Sequence, residues 1–383
     1  MARKQTTSAA PFVFGRVAEG DCFADRDAER ARLGANIASL TNTIIVSPRR
    51  WGKSSLVGRV SQDISATKSD IRLCQIDLFN VRTEADFYAQ MATAVLAATL
   101  TKWDEWLDAV QRFMSHLRPS VSINAGHEIS LELDWHAAEQ NPDDVLDLAE
   151  KIAADRDLRL AVCFDEFQAI AGFAEPVAFQ RKLRAHWQRH QHVCYCLYGS
   201  KRHMLLDIFA NPEQPFYRFG DIITLAKIDN AVWGDFIAER FAATGKTITP
   251  ELGRTLAAAV DNHPYYVQQL AQQAWLRTTI ACRPEIVDAA LADLTDQLSL
   301  LFTGLAESLT RRQLNFLHAA LDGQPALSSQ AVLKAYDLGT SANVARIKEA
   351  LVNREIIDVE DGQPQILDPI FAHWLRTAYF IAR

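Results

Sequence analysis

The chain has no apolar run approaching the ~20 residues that a membrane-spanning helix needs, because charges interrupt every hydrophobic stretch. Residues 1–10 are polar with two early basic side chains and no apolar h-region, which argues against a secretory signal and predicts a cytoplasmic protein. The six cysteines form no framework: they are scattered, and Cys163, Cys194 and Cys196 fall in strand-like apolar runs. Cys194 and Cys196 would share one face of a strand, where bridging is sterically poor, so buried reduced thiols are expected. The ten histidines show no zinc-ligand spacing, and the pair His190 and His192 lacks further ligands. Positive charge is not in excess. A net charge of −7 gives no global pull toward nucleic acid or anionic membrane, and argues against binding DNA by charge alone. Internal repeats and low-complexity segments are missing as well.

What is present is ordinary globular composition, 49% hydrophobic and 23% charged, in 383 residues, which is too long for one core. Short apolar runs at 43–46, 71–77, 158–164, 193–198 and 222–225 alternate with helical patterns at 25–39, 84–110, 142–154 and 176–190. Strands alternating with helices predict a three-layer α/β domain with a mostly parallel sheet. Around 120–135 apolar and polar residues alternate on either side of Ala125 and Gly126, which is hairpin patterning. From 230 to about 300 every periodic segment is helical (230–244, 250–260, 265–282, 285–298). Three further helical stretches, 311–321, 329–336 and 341–353, and a small hairpin at 356–367 make a winged helix.

The chemistry concentrates where the first strand ends, in Ser47-Pro48-Arg49-Arg50-Trp51-Gly52-Lys53-Ser54-Ser55. A phosphate chain needs backbone N–H groups, a mobile cation and a hydroxyl for magnesium. Gly52 lets the backbone come close, Lys53 reaches the β- and γ-phosphates, Ser54 ligates the metal, and the next helix adds its positive end. The usual G-x-x-x-x-G-K-[ST] wording fails at its first glycine, where Ser47 stands. Chance supplies a Gly-Lys-[Ser/Thr] triplet in roughly one to two of ten chains of this length. A second copy, Gly245-Lys246-Thr247, follows a helix and reads as a C-cap turn. Only the first lies between a β-branched run and a helix, where the mechanism requires it.

A distant buried run ends in Asp165 and Glu166. Asp165 is placed to hold magnesium through water and Glu166 to polarise the attacking water, whereas an Asp that merely caps a strand exit is the ordinary alternative. The run at 193–198 ends in Gly199, Ser200, Lys201 and Arg202. Ser200 is either a γ-phosphate sensor or part of a turn with an exposed basic pair, and both readings stand at this point.

Taken in order from about 12 to 374, these segments resemble the STAND-type P-loop ATPases of the AAA-like superfamily. The likeness is to the archaeal-type ATPase domain family with its C-terminal winged helix. Phe23-Ala24-Asp25-Arg26-Asp27-Ala28-Glu29 is similar to that family's Phe-x-x-Arg-x-x-Glu box, which implies Arg26 near the adenine. The 47–56 loop is similar to Gly-Pro-Arg-Arg-x-Gly-Lys-Thr-Ser-Leu, and Phe164-Asp165-Glu166-Phe167-Gln168 to the family's acidic box. Pro215-Phe216-Tyr217-Arg218 looks like its Pro-Leu-Tyr-Gly-Arg segment, one residue shorter. Arg218 is therefore either a phosphate-facing arginine or an exposed one. Asn262-His263-Pro264 resembles the lid's Gly-x-Pro element, beside the base. Leu367-Asp368-Pro369-Ile370-Phe371-Ala372-His373-Trp374 matches the terminal Asp-Pro-x-Phe-x-x-Trp.

The resemblance implies catalytic roles for Lys53, Asp165, Glu166, Ser200 and Arg218, and metal ligation by Ser54 and Asp165. It implies nucleotide contacts from Arg26, the 47–55 loop, His263 and Pro264, with Arg50 directed to the nucleotide or acidic box and Trp51 packing. The expected organisation is a P-loop ATPase core at 1–228, a helical lid at 229–300 and a winged helix at 301–383. The expected function is a slow, magnesium-dependent switch ATPase whose ATP state repositions lid and winged helix. The alternatives are an ATP-regulated DNA-binding protein of the origin-recognition or transposition type, and an ATP-binding scaffold for a defence or toxin partner. Partners then include nucleotide, a protein or a second copy, and DNA through Asn343, Arg346 and Lys348, whose charge Glu349 and Glu355 dilute; a membrane is not among them.

Overall fold

The computed structural model describes residues 10–67, 70–100, 105, 108, 109, 112, 113, 120–123, 129–132, 143–360 and 362–381. They form two compact units: Arg26–Ala226 makes one, and the segments before and after it together make the other.

In the first unit, helix α1 (Asp27–Ala38) leads to strand β1 (Thr43–Val46), α2 (Lys53–Thr67), β2 (Ile71–Asp77) and α3 (Glu84–Thr99). A hairpin of β3 (Ser120–Ile123) and β4 (Ile129–Glu132) follows, with Ile123 opposite Ile129. This answers the patterning at 120–135, of which 124–128 and 133–135 lie outside the described residues. Strands β5 (Arg159–Asp165), β6 (Val193–Gly199) and β7 (Asp221–Thr224) complete the set. Five strands form one sheet in the order β2-β5-β6-β1-β7, and every pairing in it is parallel. The expected α/β class with a parallel sheet is what the chain adopts. All seven residues of β6 and all four of β1 are buried, as strands covered on both faces must be. The edge strand β2 instead alternates buried and exposed positions.

Aromatic side chains fill the core of this unit. Phe164 stacks on Phe87 and Trp187, and Trp187 stacks on Tyr195 with centroids 4.0 Å apart. Such pairs add to the large area that each ring removes from water. The helix expected at 142–154 is two pieces, Asp143–Leu146 and Leu148–Asp155. The residue between them, Asp147, turns its carboxylate to His186 Nδ1 (2.7 Å) and His190 Nε2 (3.1 Å). Burial would raise the Asp147 pKa, but the contacts with His190 and His186 outweigh it and bring the value to about 2. This cluster lies at the start of β6, the opposite end from Gly199.

The second unit contains the helices Asn230–Ala242, Pro250–Ala259, Pro264–Arg277 and Pro284–Glu307, three of which begin with proline at the first helical position. The last outruns the 285–298 pattern because Phe302 and Ala306 are buried, while the exposed Leu300 and Leu301 interrupt the apolar period. The helix expected to reach 282 stops at Arg277, and the chain then extends so that Cys282 N donates to Thr247 O at 2.8 Å. Helices Arg311–Leu321, Gln330–Ala335 and Ser341–Asn353 and the hairpin β8 (Ile357–Glu360)–β9 (Gln363–Ile366) follow, closed by Pro369–Trp374. One continuous core runs from Phe12 through Trp233 and Leu270 to Phe371 and Leu375, so these helices and the hairpin are packed as a single body. Within it Tyr266 Oη donates to Asp368, which also caps Pro369–Trp374 by accepting from Ile370 N and Phe371 N. Among the described residues no helix is long and apolar enough to cross a membrane, and all six cysteines are thiols.

Candidate functional site

Strand order decides what meets at the C-terminal edge of the sheet. Because β6 lies between β1 and β5, the loop after β1, the Gly199–Ser200 exit of β6 and the Asp165–Glu166 exit of β5 open side by side. After Val46 the chain makes a tight loop: Arg50 and Gly52 have φ of +64° and +91°, and α2 starts at Lys53. Glycine meets the second of these at no steric cost. A Cβ placed on Gly52 would have no other group within 4 Å, so it would project into open space.

Lys53 is buried and closes the loop on itself. Its ammonium donates to Pro48 O at 2.8 Å, Ser47 O at 3.1 Å and Ser47 Oγ at 3.2 Å. Phosphate oxygens are stronger acceptors than these neutral ones, so an entering anion would draw the ammonium to itself. Ser47, in place of the usual glycine, is fully buried and uses both its oxygens as acceptors for Lys53.

One residue on, Ser54 Oγ donates to Asp165 Oδ2 at 2.7 Å, which joins loop and acidic strand. The other oxygen, Oδ1, accepts from Glu166 N at 2.8 Å. Burial raises the Asp165 pKa, against the lowering effect of the Ser54 and Glu166 hydrogen bonds. The separation of the Ser54 and Asp165 oxygens is that of an ordinary O–H···O hydrogen bond; hydroxyl and carboxylate are both oxygen ligands of the kind that would hold a magnesium ion, directly or through water. Glu166 has φ of +54°, uncommon for a residue with a side chain, and its Oε2 accepts from Ser200 Oγ at 2.9 Å.

The remaining candidates fall as follows. Arg26 is buried with φ of +76°, pairs with Glu29 at 3.0 Å and donates to the carbonyl of the buried Trp51 at 3.5 Å. Arg49 and Arg50 are exposed and Pro48 is buried; Ser55 is half-buried on the first turn of α2. Arg218 is exposed with its guanidinium over the Tyr217 ring, 5.2 Å from the centroid, and no described hydrogen bond joins it to Lys53, Asp165 or Glu166. His263 and Pro264 belong to the other unit, where the buried His263 is the residue preceding the helix Pro264–Arg277 and gives it no side-chain cap. Sequence reasoning gave no role to Gln168 or Gly199. Gln168 Nε2 donates to Glu166 Oε2, and its side chain lies over the α-carbon of Gly199. The signal was a glycine ending a fully buried strand, where β-branched residues are the norm.

A family described as "Probable winged helix domain" matches residues 300–377. No curated protein matches the sequence. Among solved structures, a Walker-type ATPase of Pyrococcus abyssi is similar over 96% of this chain and 99% of its own, with 17% identity and a TM-score of 0.65. The Aeropyrum pernix ORC2 protein in its ADPNP–ADP complexes is similar over 97% of this chain and 99% of its own, with 13% identity and a TM-score of 0.56. Its ADP form gives 91% and 92%, 13% and 0.51. At these identities the likeness is one of fold: a parallel-sheet P-loop ATPase fold continued by a helical region and a winged helix domain.

Proposed function

We propose that this chain binds ATP with magnesium at 47–55 and the Asp165–Glu166 pair, hydrolyses it slowly, and uses the nucleotide state as a switch. The observation that carries the proposal is the 2.7 Å hydrogen bond of Ser54 to Asp165, which brings together a loop hydroxyl and a strand carboxylate 111 positions apart. The positive-φ turn at Gly52 that leads into the N-terminus of α2 supports phosphate binding there, and so do the neighbours in fold, a Walker-type ATPase and an ADPNP–ADP complex.

In this reading Lys53 leaves Pro48 O and Ser47 for the β- and γ-phosphates, and Ser54 and Asp165 hold the metal. Bound magnesium neutralises charge on the phosphates. Glu166 takes a proton from water as the water oxygen bonds to the γ-phosphorus, ADP leaving with the electrons of the broken P–O bond; Ser200 steadies that carboxylate. The 47–52 backbone would surround the phosphates. Arg26 on the adenine side, Arg218, His263 and Pro264 are assigned to the nucleotide only by family likeness, as is membership of the STAND-like archaeal-type ATPases. The expected partition into core (1–228), lid (229–300) and winged helix (301–383) belongs to the same proposal, save that the segment before Arg26 packs with the lid and not with the core, and the shared core of the last two favours their moving as one body. Phosphate release from ATP is the test, with Glu166→Gln expected to keep ATP binding and lose about 10²- to 10⁴-fold in kcat. Normal turnover by Glu166→Gln would remove the assigned role.

A second reading, nucleotide-regulated DNA binding, rests on the helix Ser341–Asn353. Arg312 and Asn343 converge over Gly339 just before this helix, and Arg346 is exposed on it. Salt-dependent duplex affinity lost in Arg346→Ala supports this reading, and no binding at low salt eliminates it.

A further inference from the structure

Two residues donate to one oxygen of Glu166, and only Ser200, whose N–H joins its hydroxyl there at 3.4 Å, has a part in the reading above. The second is the amide of Gln168, whose Nε2 donates to the same Oε2. Gln168 is only 6% exposed, and its Oε1 is buried with no hydrogen-bond partner among the described residues. A buried carbonyl oxygen without a donor is unfavourable. The amide nonetheless keeps this orientation, since turning it over would set a carbonyl oxygen against the carboxylate. Glu166 therefore dictates how Gln168 stands.

Gly199 supplies the room. A Cβ there would overlap Gln168 Oε1 and come within 2.9 Å of Gln168 Cδ. Its backbone is not in the left-handed region, and its register partner Val46 is an ordinary strand residue, so the backbone does not call for glycine at this position. The glutamine side chain does. Gly199 ends the strand between the phosphate loop and the acidic strand, which puts the Gln168 amide beside the reacting end of Glu166.

We infer that Gln168 is a positioning residue for Glu166, seated by Gly199. With Gln168 and Ser200 both donating to Oε2, the carboxylate is fixed in one rotamer and Oε1 is the oxygen presented to the attacking water. This inference rests on the hydrolytic reading above. The test uses the full chain with ATP and magnesium, measuring kcat and the ATP dissociation constant separately. Gln168→Ala should lower kcat about tenfold and change the dissociation constant by no more than about twofold, the mark of a group that acts only on the chemical step. Gly199→Ala, which displaces the amide, should match it. The Gln168→Ala/Gly199→Ala pair should be no slower than either alone, since two sites acting through one contact are not additive. In a Glu166→Gln background, Gln168→Ala should cost nothing further. A Gln168→Ala kcat equal to wild type overturns the inference, as do additive losses in the double variants. If Gly199→Ala fails to fold, Gln168→Ala and its combination with Glu166→Gln still decide. No turnover by the wild-type chain overturns the hydrolytic reading together with this one, whereas wild-type turnover with an unaffected Gln168→Ala overturns this one alone.

Discussion

In both Gly52-Lys53-Ser54 and Gly245-Lys246-Thr247 the glycine has positive φ, +91° and +78°. The first glycine opens a helix, with Leu56 N donating back to Gly52 O; the second closes one, with Gly245 N donating to Ala242 O and Lys246 N to Phe241 O. A helix start presents N–H groups and partial positive charge, a helix end carbonyls and partial negative charge, so only the first welcomes an anion. The side chains follow suit. Lys53 lies on the oxygens of its own loop and Ser54 on a carboxylate. Lys246 sits 4.3 Å over the Trp275 ring and donates to Trp275 O, while Thr247 Oγ1 donates to Ile280 O. One triplet is arranged for exchange of partners and the other for tying an extended segment to a helix. The same three letters carry opposite electrostatics because of the element they adjoin.

The sharpest break between the two comes from their lysines. Lys53→Ala should weaken ATP affinity by about 10- to 100-fold, the value of a charge-assisted hydrogen bond set, and Lys246→Ala should leave it unchanged in calorimetric titration. Next come the hydroxyls. Ser54→Ala should reduce the magnesium dependence of binding by roughly tenfold, while Thr247→Ala does not. Stability should invert the order: Lys246→Ala loses a cation–π contact and a hydrogen bond, about 1 kcal/mol, and should lower Tm by about 2–4 °C.

The smallest effect is one of pH. The Asp165 pKa is raised in the folded chain, so the folded state holds more protons between the unfolded value and the raised one, and stability falls as pH rises through that interval. Asp165→Asn should therefore raise Tm near neutrality, with the gain fading as pH falls through the raised carboxylate range. A neutral-pH Tm below wild type would contradict it.

Much of this was legible in the sequence, and the parts that were not share a cause. The run at 71–77 is a strand over the same residues because an edge strand shows its alternation, and those at 158–164 and 193–198 miss by one position because an apolar run buried on both faces is told by its length and flanks and has no period to mark its ends. The juxtaposition of Ser54 with Asp165 followed from two strand exits in one parallel sheet. Asp147 was not legible as a helix interruption, since its reason is two histidines some forty positions on. The same holds for Gln168 and Gly199, where a side chain on one strand exit dictates a missing side chain on another. Leu300 and Leu301 misled the period because exposed leucines look like core from sequence alone. Local pattern reports what a residue does to its own element, and these residues act on someone else's.

The chain order of the second unit has a consequence for biogenesis. Phe12 packs in a core with Trp233 and Phe241, and Val13 N donates to Gln268 Oε1 at 3.1 Å, a partner 255 positions later. During vectorial synthesis Arg26–Ala226 emerges as an uninterrupted stretch holding all five strands of its sheet, and can complete itself before its flanks meet. The leading segment must wait, exposed, until the helices Asn230–Ala242 and Pro264–Arg277 arrive. Its closure is cheap once the middle is compact, because a folded insert holds the flanks at a fixed separation where a coil would impose the entropy of a long loop. Phe12 is then made early and covered late, a side chain that a nascent-chain chaperone would need to shelter.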